Sequence, residues 1–224
     1  SRELYKFFDR EGNTLVLRPD FTPSVSRACA TYFNPEKEVV SLCYTGNTFI
    51  NNSSFRGRLK ETTQMGVERM GDDSPEADAE ILAMTVECLL ATGLTEFQVS
   101  VGQVDYYKAI FAQTGMSQEE EEELRELISQ KNYFGVEELV KNKNMDKSLA
   151  RVLSQLPQMF GSTEVLEKAK SLTDNPQALK AVARLEEIYE LLKVYGYEKY
   201  VTFDFAMLSK YHYYTGIIFQ AYTY

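Results

Sequence analysis

The chain has 224 residues, 44% of them hydrophobic, enough to bury the core of one large domain or of a domain with a smaller lobe, and too apolar for a disordered segment. Its 24 basic and 33 acidic residues give a formal charge of -9, which argues against a nucleic-acid partner, because phosphate contacts need clustered Lys and Arg. Cys29, Cys43 and Cys88 lack metal-ligand spacing and read as reduced, mostly buried thiols of a cytoplasmic protein; the single histidine, His212, leaves no basis for a His-built metal site or triad, and no apolar run is long enough to make a membrane span.

The first strand-like run, Leu4 to Phe8, is followed by the turn residues Asp9 to Asn13 and a second run, Thr14 to Arg18, which together make a hairpin. In Arg18-Pro19-Asp20-Phe21-Thr22-Pro23 the second proline suits the first helical position and Thr22 the N-cap, so a helix is expected through Tyr32, ending near Asn34-Pro35. Asp20 then sits at a strand-to-helix corner. Its carboxylate there can accept bonds from helix amides or meet a ligand's ammonium group.

Residues 39 to 50 read as a long strand, Asn51 to Gly57 as a polar loop, and Arg58 to Gly71 as the antiparallel return. Period 2 puts Thr62, Gln64, Gly66, Glu68 and Met70 on one face, and Thr63, Met65, Val67 and Arg69 on the other. Gln64 and Glu68 flank a glycine that opens space above the backbone, so they can present an amide and a carboxylate to one small ligand. A solvated strand face is the other reading of the same window.

Ser74 and Pro75 repeat the cap-plus-proline pattern and start a helix over 76–92; Phe97 to Gly102 is a short alternating strand. From Asp105 to Gly196 helix formers dominate and no strand is expected. The acidic run Glu119 to Glu123 suits a helix N-terminus, and the last helix, 177–195, carries the apolar stripe Leu179, Val182, Leu185, Ile188, Leu191 and Leu192. Strands resume over 200–208 and 211–224. Because the sequence starts and stops inside strand-like runs, further chain or a partner strand is expected to complete the sheet. The pattern predicts an α+β fold: an antiparallel sheet flanked by helices, formed by 1–107 and 197–224, with a helical insertion lobe over 108–196.

Three motifs carry a resemblance. Leu17-Arg18-Pro19-Asp20-Phe21-Thr22, Gln64-Met65-Gly66-Val67-Glu68 and Tyr213-Tyr214-Thr215-Gly216 follow the order and rough spacing of the catalytic domain of class II histidyl-tRNA synthetases. The resemblance covers about 1–107 and 199–224, with the helical lobe at the place of an insertion. It implies a histidine-binding set: Asp20 and Thr22 at the ammonium, Gln64 and Glu68 reading the amino acid, Tyr213 and Tyr214 as the aromatic floor.

The departures fall on the nucleotide side. The family's arginine for the ATP α-phosphate falls on Ile50, its adenine-reading glutamate on Asn52 and its second arginine on Ser209, with Lys210 next to it; His212 stands where synthetases have Asp. This imbalance, with Gly46-Asn47-Thr48-Phe49-Ile50-Asn51 and Arg58 to Gln64, is similar to the HisZ family of synthetase paralogues. That resemblance implies a non-catalytic regulatory subunit of ATP phosphoribosyltransferase in histidine biosynthesis, without cofactor or metal. It also implies a short-form catalytic subunit as partner, a homodimer within a hetero-octamer, and histidine as effector. Two other readings stay open: an active histidyl-tRNA synthetase fragment with cations from Lys60 or Lys210, and a dimeric scaffold that binds no ligand.

Overall fold

The structure, a computed structural model, describes residues 4–52, 57–143, 145–208 and 214–223, and the chain divides into two units, Ser1–Asp73 and Ser74–Tyr224. In the first, β1 (Lys6–Phe8) and β2 (Thr14–Val16) form the expected hairpin, with Phe7 opposite Leu15. Helix α1 (Thr22–Tyr32) follows, with Pro23 in its first turn. Its cap differs from expectation: the N-cap is Phe21, whose side chain makes no capping bond, and Thr22 is the first helical residue with its hydroxyl donated to Glu68.

Strands β3 (Val40–Phe49) and β4 (Glu61–Met70) form a long antiparallel arm, with Tyr44 opposite Gly66 and Gly46 opposite Gln64. The period-2 reading of its faces holds. The polar face of β4 is the half-covered one, and Met65, 74% exposed, stands with Val67 on the open face. Cys43 shares that open face, and Cys88 lies on the surface of a helix, so of the three thiols expected to be mostly buried only Cys29 is.

The second unit opens with α2 (Pro75–Ala91), where Ser74 Oγ accepts from Ala77 N and Pro75 takes the first turn, as the sequence predicts. Strand β5 (Phe97–Gln103) then leads through α3 (Val104–Phe111), α4 (Gln118–Ser129), α5 (Tyr133–Asn142), α6 (Lys147–Gln155), α7 (Glu164–Ser171) and α8 (Pro176–Tyr195) to β7 (Val201–Asp204) and β8 (Ile217–Thr223). A two-residue strand, β6 (Phe160–Gly161), interrupts the helices where no strand was expected; it pairs with β7 and is too short to leave a periodic signal. The sheet order is β6-β7-β5-β8. Its β5–β7 pair is parallel and the others antiparallel, a pairing that the long helical crossover permits.

Alternation along these strands separates two environments. Val99, Val101, Val201 and Phe203 join Leu82, Val86, Tyr106, Ile110, Leu185, Ile188 and Leu192 of α2, α3 and α8 in one continuous apolar core, which also takes in α4 to α7. Strand β7 stops at Asp204, short of the expected 208, because Asp204 Oδ1 accepts from Ala206 N at 2.8 Å and turns the chain. Strand β8 starts only at Ile217, after Gly216 in the left-handed region (φ 68°); Tyr211 to Tyr213, expected in that strand, lie outside the described residues.

Candidate functional site

The covered face of the β3/β4 arm gathers most of the candidate residues of the first unit. Gln64 and Glu68 stand on it two pleats apart with Gly66 between them. Thr22, at the start of α1, donates from Oγ1 to Glu68 Oε1 at 2.6 Å, leaving Oε2 for another donor. Asp20 Oδ1 accepts from Thr22 N at 3.3 Å, the first of the two roles open to it as a corner carboxylate. The Gln64 amide is oriented from both ends: Oε1 accepts from the buried Thr48 Oγ1 at 3.4 Å, and Nε2 donates to Tyr44 Oη at 3.5 Å.

An aromatic layer lies on the same face. Tyr44 stacks on Phe21 with centroids 4.6 Å apart and planes 16° apart, and the Arg18 guanidinium caps Phe21 at 4.3 Å while its Nε donates to Asn47 O. Glycines make the layer possible. A Cβ on Gly66 would lie 2.3 Å from Tyr44 Cζ and Oη, and one on Gly46 2.8 Å from Phe21 Cζ. The space that Gly66 opens is thus filled from within, by Tyr44. Arg18, Phe21, Tyr44 and Thr48 were not singled out as site residues from sequence. The signal for Tyr44 was present: antiparallel pairing of the arm sets a large ring opposite a glycine.

At the far end of the arm stand Ile50 and Asn52, two of the positions that the resemblance assigns to the nucleotide side. Ile50 is an exposed hydrocarbon whose N–H bonds Lys60 O at 3.0 Å, and the Asn52 amide donates to Leu59 O at 2.8 Å, closing the loop's neck. Tyr214 belongs to the second unit, 41% exposed, with its carbonyl accepting from Lys108 Nζ at 2.6 Å; Tyr213, Ser209 and Lys210 lie outside the described residues.

The second unit also has a cavity of about 600 Å³ on the polar face of its sheet, lined by Ser100, Lys131, Phe160, Thr202, Asp204 and Tyr222 among others. Lys131 Nζ meets Asp204 Oδ2 there at 3.2 Å and lies over the Phe160 ring, so the pair neutralises itself and pins the α4–α5 turn to the sheet. Among the described residues no cluster of three His, Cys, Asp or Glu could hold a metal ion, and no helix is long and apolar enough to cross a membrane.

The family model for histidyl-tRNA synthetase matches residues 1–224. The chain belongs to the histidyl-tRNA synthetase family. The ATP phosphoribosyltransferase regulatory subunit of Acetivibrio thermocellus is 40% identical over 221 residues, 99% of this chain and 53% of that protein. A crystal structure of an ATP phosphoribosyltransferase regulatory subunit/histidyl-tRNA synthetase from Bacillus halodurans C superposes with a TM-score of 0.88 at 32% identity, over all of this chain and 58% of the other. An ATP phosphoribosyl transferase (HisG:HisZ) complex from Thermotoga maritima shares the fold: TM-score 0.75, 20% identity, 97% of this chain and 75% of that one. The chain thus spans about half the length of the curated relatives it matches. The α+β class of this fold is the one the strand pattern predicts.

Proposed function

We propose that this chain is the synthetase-like part of a regulatory subunit of ATP phosphoribosyltransferase, the first enzyme of histidine biosynthesis, and that it binds histidine without activating it. One asymmetry carries the reading. Thr22, Gln64 and Glu68 put a hydroxyl, an amide and a carboxylate on one face of the arm, whereas its far end has Ile50 and Asn52 where a synthetase needs an arginine and a glutamate. An arginine that steadies phosphate charge in a transition state contributes roughly 10³ to 10⁵ in rate, and a hydrocarbon contributes none of it. The regulatory-subunit relatives at about 40% identity support the same assignment.

On this reading Asp20 and Thr22 meet the ligand's ammonium, Gln64 and Glu68 read the rest of the amino acid, and Tyr213 and Tyr214 supply the floor. The partner is a short catalytic subunit, the assembly a hetero-octamer built on a homodimer in the cytoplasm, and 108–196 an insertion into the synthetase-like body. Histidine acts by binding one arrangement of the complex better than another, a coupling of about 1 to 3 kcal/mol.

The test is reconstitution. The full-length protein added to a short-form catalytic subunit raises phosphoribosyltransferase activity, and histidine then lowers it; no effect of the added protein overturns the reading. A second reading, an active synthetase, has one observation in its favour: the exposed Lys60 pairs directly with Ile50 and could place an ammonium near the phosphate position. Histidine-dependent exchange of pyrophosphate into ATP decides between them, with robust turnover restoring the enzyme.

A further inference from the structure

We infer that Asp105 and Lys108, at the start of α3, are positioning residues that set the segment carrying Tyr214 for ligand binding. The inference rests on the effector reading above, in which Tyr214 supplies part of the floor, and adds two residues to it. Six of the eight residues of α3 are buried, among them Tyr106, Ile110 and Phe111, so the helix is fixed in the core of its unit. The other two, Asp105 and Lys108, are half-buried, oppositely charged and three positions apart, which puts them on one helical face. Both reach the same distant segment. Lys108 Nζ donates to Tyr214 O at 2.6 Å, and Asp105 Oδ2 accepts from Gly216 N at 3.1 Å.

Each charge matches the backbone group that it meets, an ammonium on a carbonyl and a carboxylate on an N–H, so both bonds are charge-assisted. Asp105 is itself oriented, because its own N–H donates to the buried Gln103 Oε1 at 3.0 Å. The sheet does not need these two side chains to begin: β8 pairs with β5 from Ile217, opposite Gln103, and Val104 N already bonds Gly216 O at 2.8 Å. They act on the residues just before the strand, where Gly216 takes a left-handed φ of 68° and Tyr214 is 41% exposed. A stretch next to a left-handed glycine has many backbone arrangements open to it, and two anchors on a fixed helix select one. A ligand that rests on Tyr214 then meets a ring already in place and does not have to order it on binding.

Calorimetry with histidine on the full-length protein tests this, together with hydrogen exchange at Gly216 measured with and without histidine. The wild-type protein binds histidine, and histidine slows exchange at Gly216. Lys108→Met and Asp105→Ala each remove one anchor and reduce the fraction of molecules with the segment in its binding arrangement. Their apparent Kd rises by the same factor, about five- to tenfold, and exchange at Gly216 is faster until histidine is added. Asp105→Asn, which keeps a side-chain oxygen for Gly216 N, binds histidine as the wild type does. If Asp105→Ala does not fold, Lys108→Met is read alone. Wild-type affinity in the folded Lys108→Met or Asp105→Ala protein reduces the contacts to structural ones, overturns the inference and leaves the effector reading standing. No histidine binding by the wild-type protein overturns both.

Discussion

Thr22 Oγ1 and Glu68 Oε1 lie 2.6 Å apart, a short bond that fastens the first residue of α1 to the covered face of β4. A hydrogen bond to a carboxylate at a partly exposed rim contributes about 0.5 to 1.5 kcal/mol. Thr22→Val keeps the shape and removes the donor, so its unfolding free energy, read from urea denaturation, falls by that amount relative to wild type. Thr22→Ser keeps the hydroxyl and stays within a few tenths of a kcal/mol (about 0.5 at most). A loss in Thr22→Ser with none in Thr22→Val would show that the methyl group, not the bond, holds the helix.

Gly66 is the position where a single methyl group meets an aromatic ring. In Gly66→Ala the new Cβ would overlap Tyr44, whose displacement costs its contact with Phe21, and overpacking of this kind costs about 1 to 3 kcal/mol. In the double variant Gly66→Ala with Tyr44→Ala the clash is gone. Denaturant unfolding of the four proteins is expected to give strong non-additivity, the double variant being little worse than Tyr44→Ala alone. Additive losses would place the effect in the strand backbone instead.

The arm and its faces could be read from the sequence because period 2 is a local property, visible in Gln64, Gly66 and Glu68 without knowledge of any neighbour. Which face is covered could not. That depends on Phe21 and α1 arriving from elsewhere in the chain, and it left Met65 and Cys43 in the open where composition suggests burial. Thr22 shows the same limit: local rules favour a cap, but a carboxylate 46 positions away offers its hydroxyl a partner, and the tertiary contact wins. The Tyr44–Gly66 pair needed only the register. The parallel β5–β7 pairing and the two-residue β6 had no local signature, since one arises from a distant crossover and the other is shorter than a period.

Arg184 ties α8 to the first turn of α2: its Nε and Nη2 both reach Asp78 Oδ2, at 2.9 and 2.8 Å. The two side chains are 25% and 31% exposed, between the regimes of a solvated pair and a buried one, so breaking the contact should cost about 1 to 2 kcal/mol. Lysine cannot reproduce the fork. Arg184→Lys is therefore expected to lose most of what Arg184→Met loses, read as a fall of a few degrees (about 2 to 6 °C) in the thermal midpoint. A lysine variant as stable as wild type would reduce the contact to simple charge pairing.

Lys131 has φ 54°, the left-handed region where an L side chain is strained, just after α4 ends. Its side chain has a compensating task, since the ammonium meets a largely buried Asp204 and covers Phe160. Two substitutions separate these terms. Lys131→Ala loses the ammonium and keeps the strained backbone; Lys131→Gly loses the same ammonium and relieves the strain, worth about 1 kcal/mol. The alanine variant should be the less stable of the two by that margin, and the glycine variant close to wild type, in chemical denaturation monitored on the full chain. Asp204 supplies the control: Asp204→Asn removes the charge that Lys131 neutralises, and Lys131→Ala in that background should cost less than it does alone, because no buried carboxylate is left without its partner.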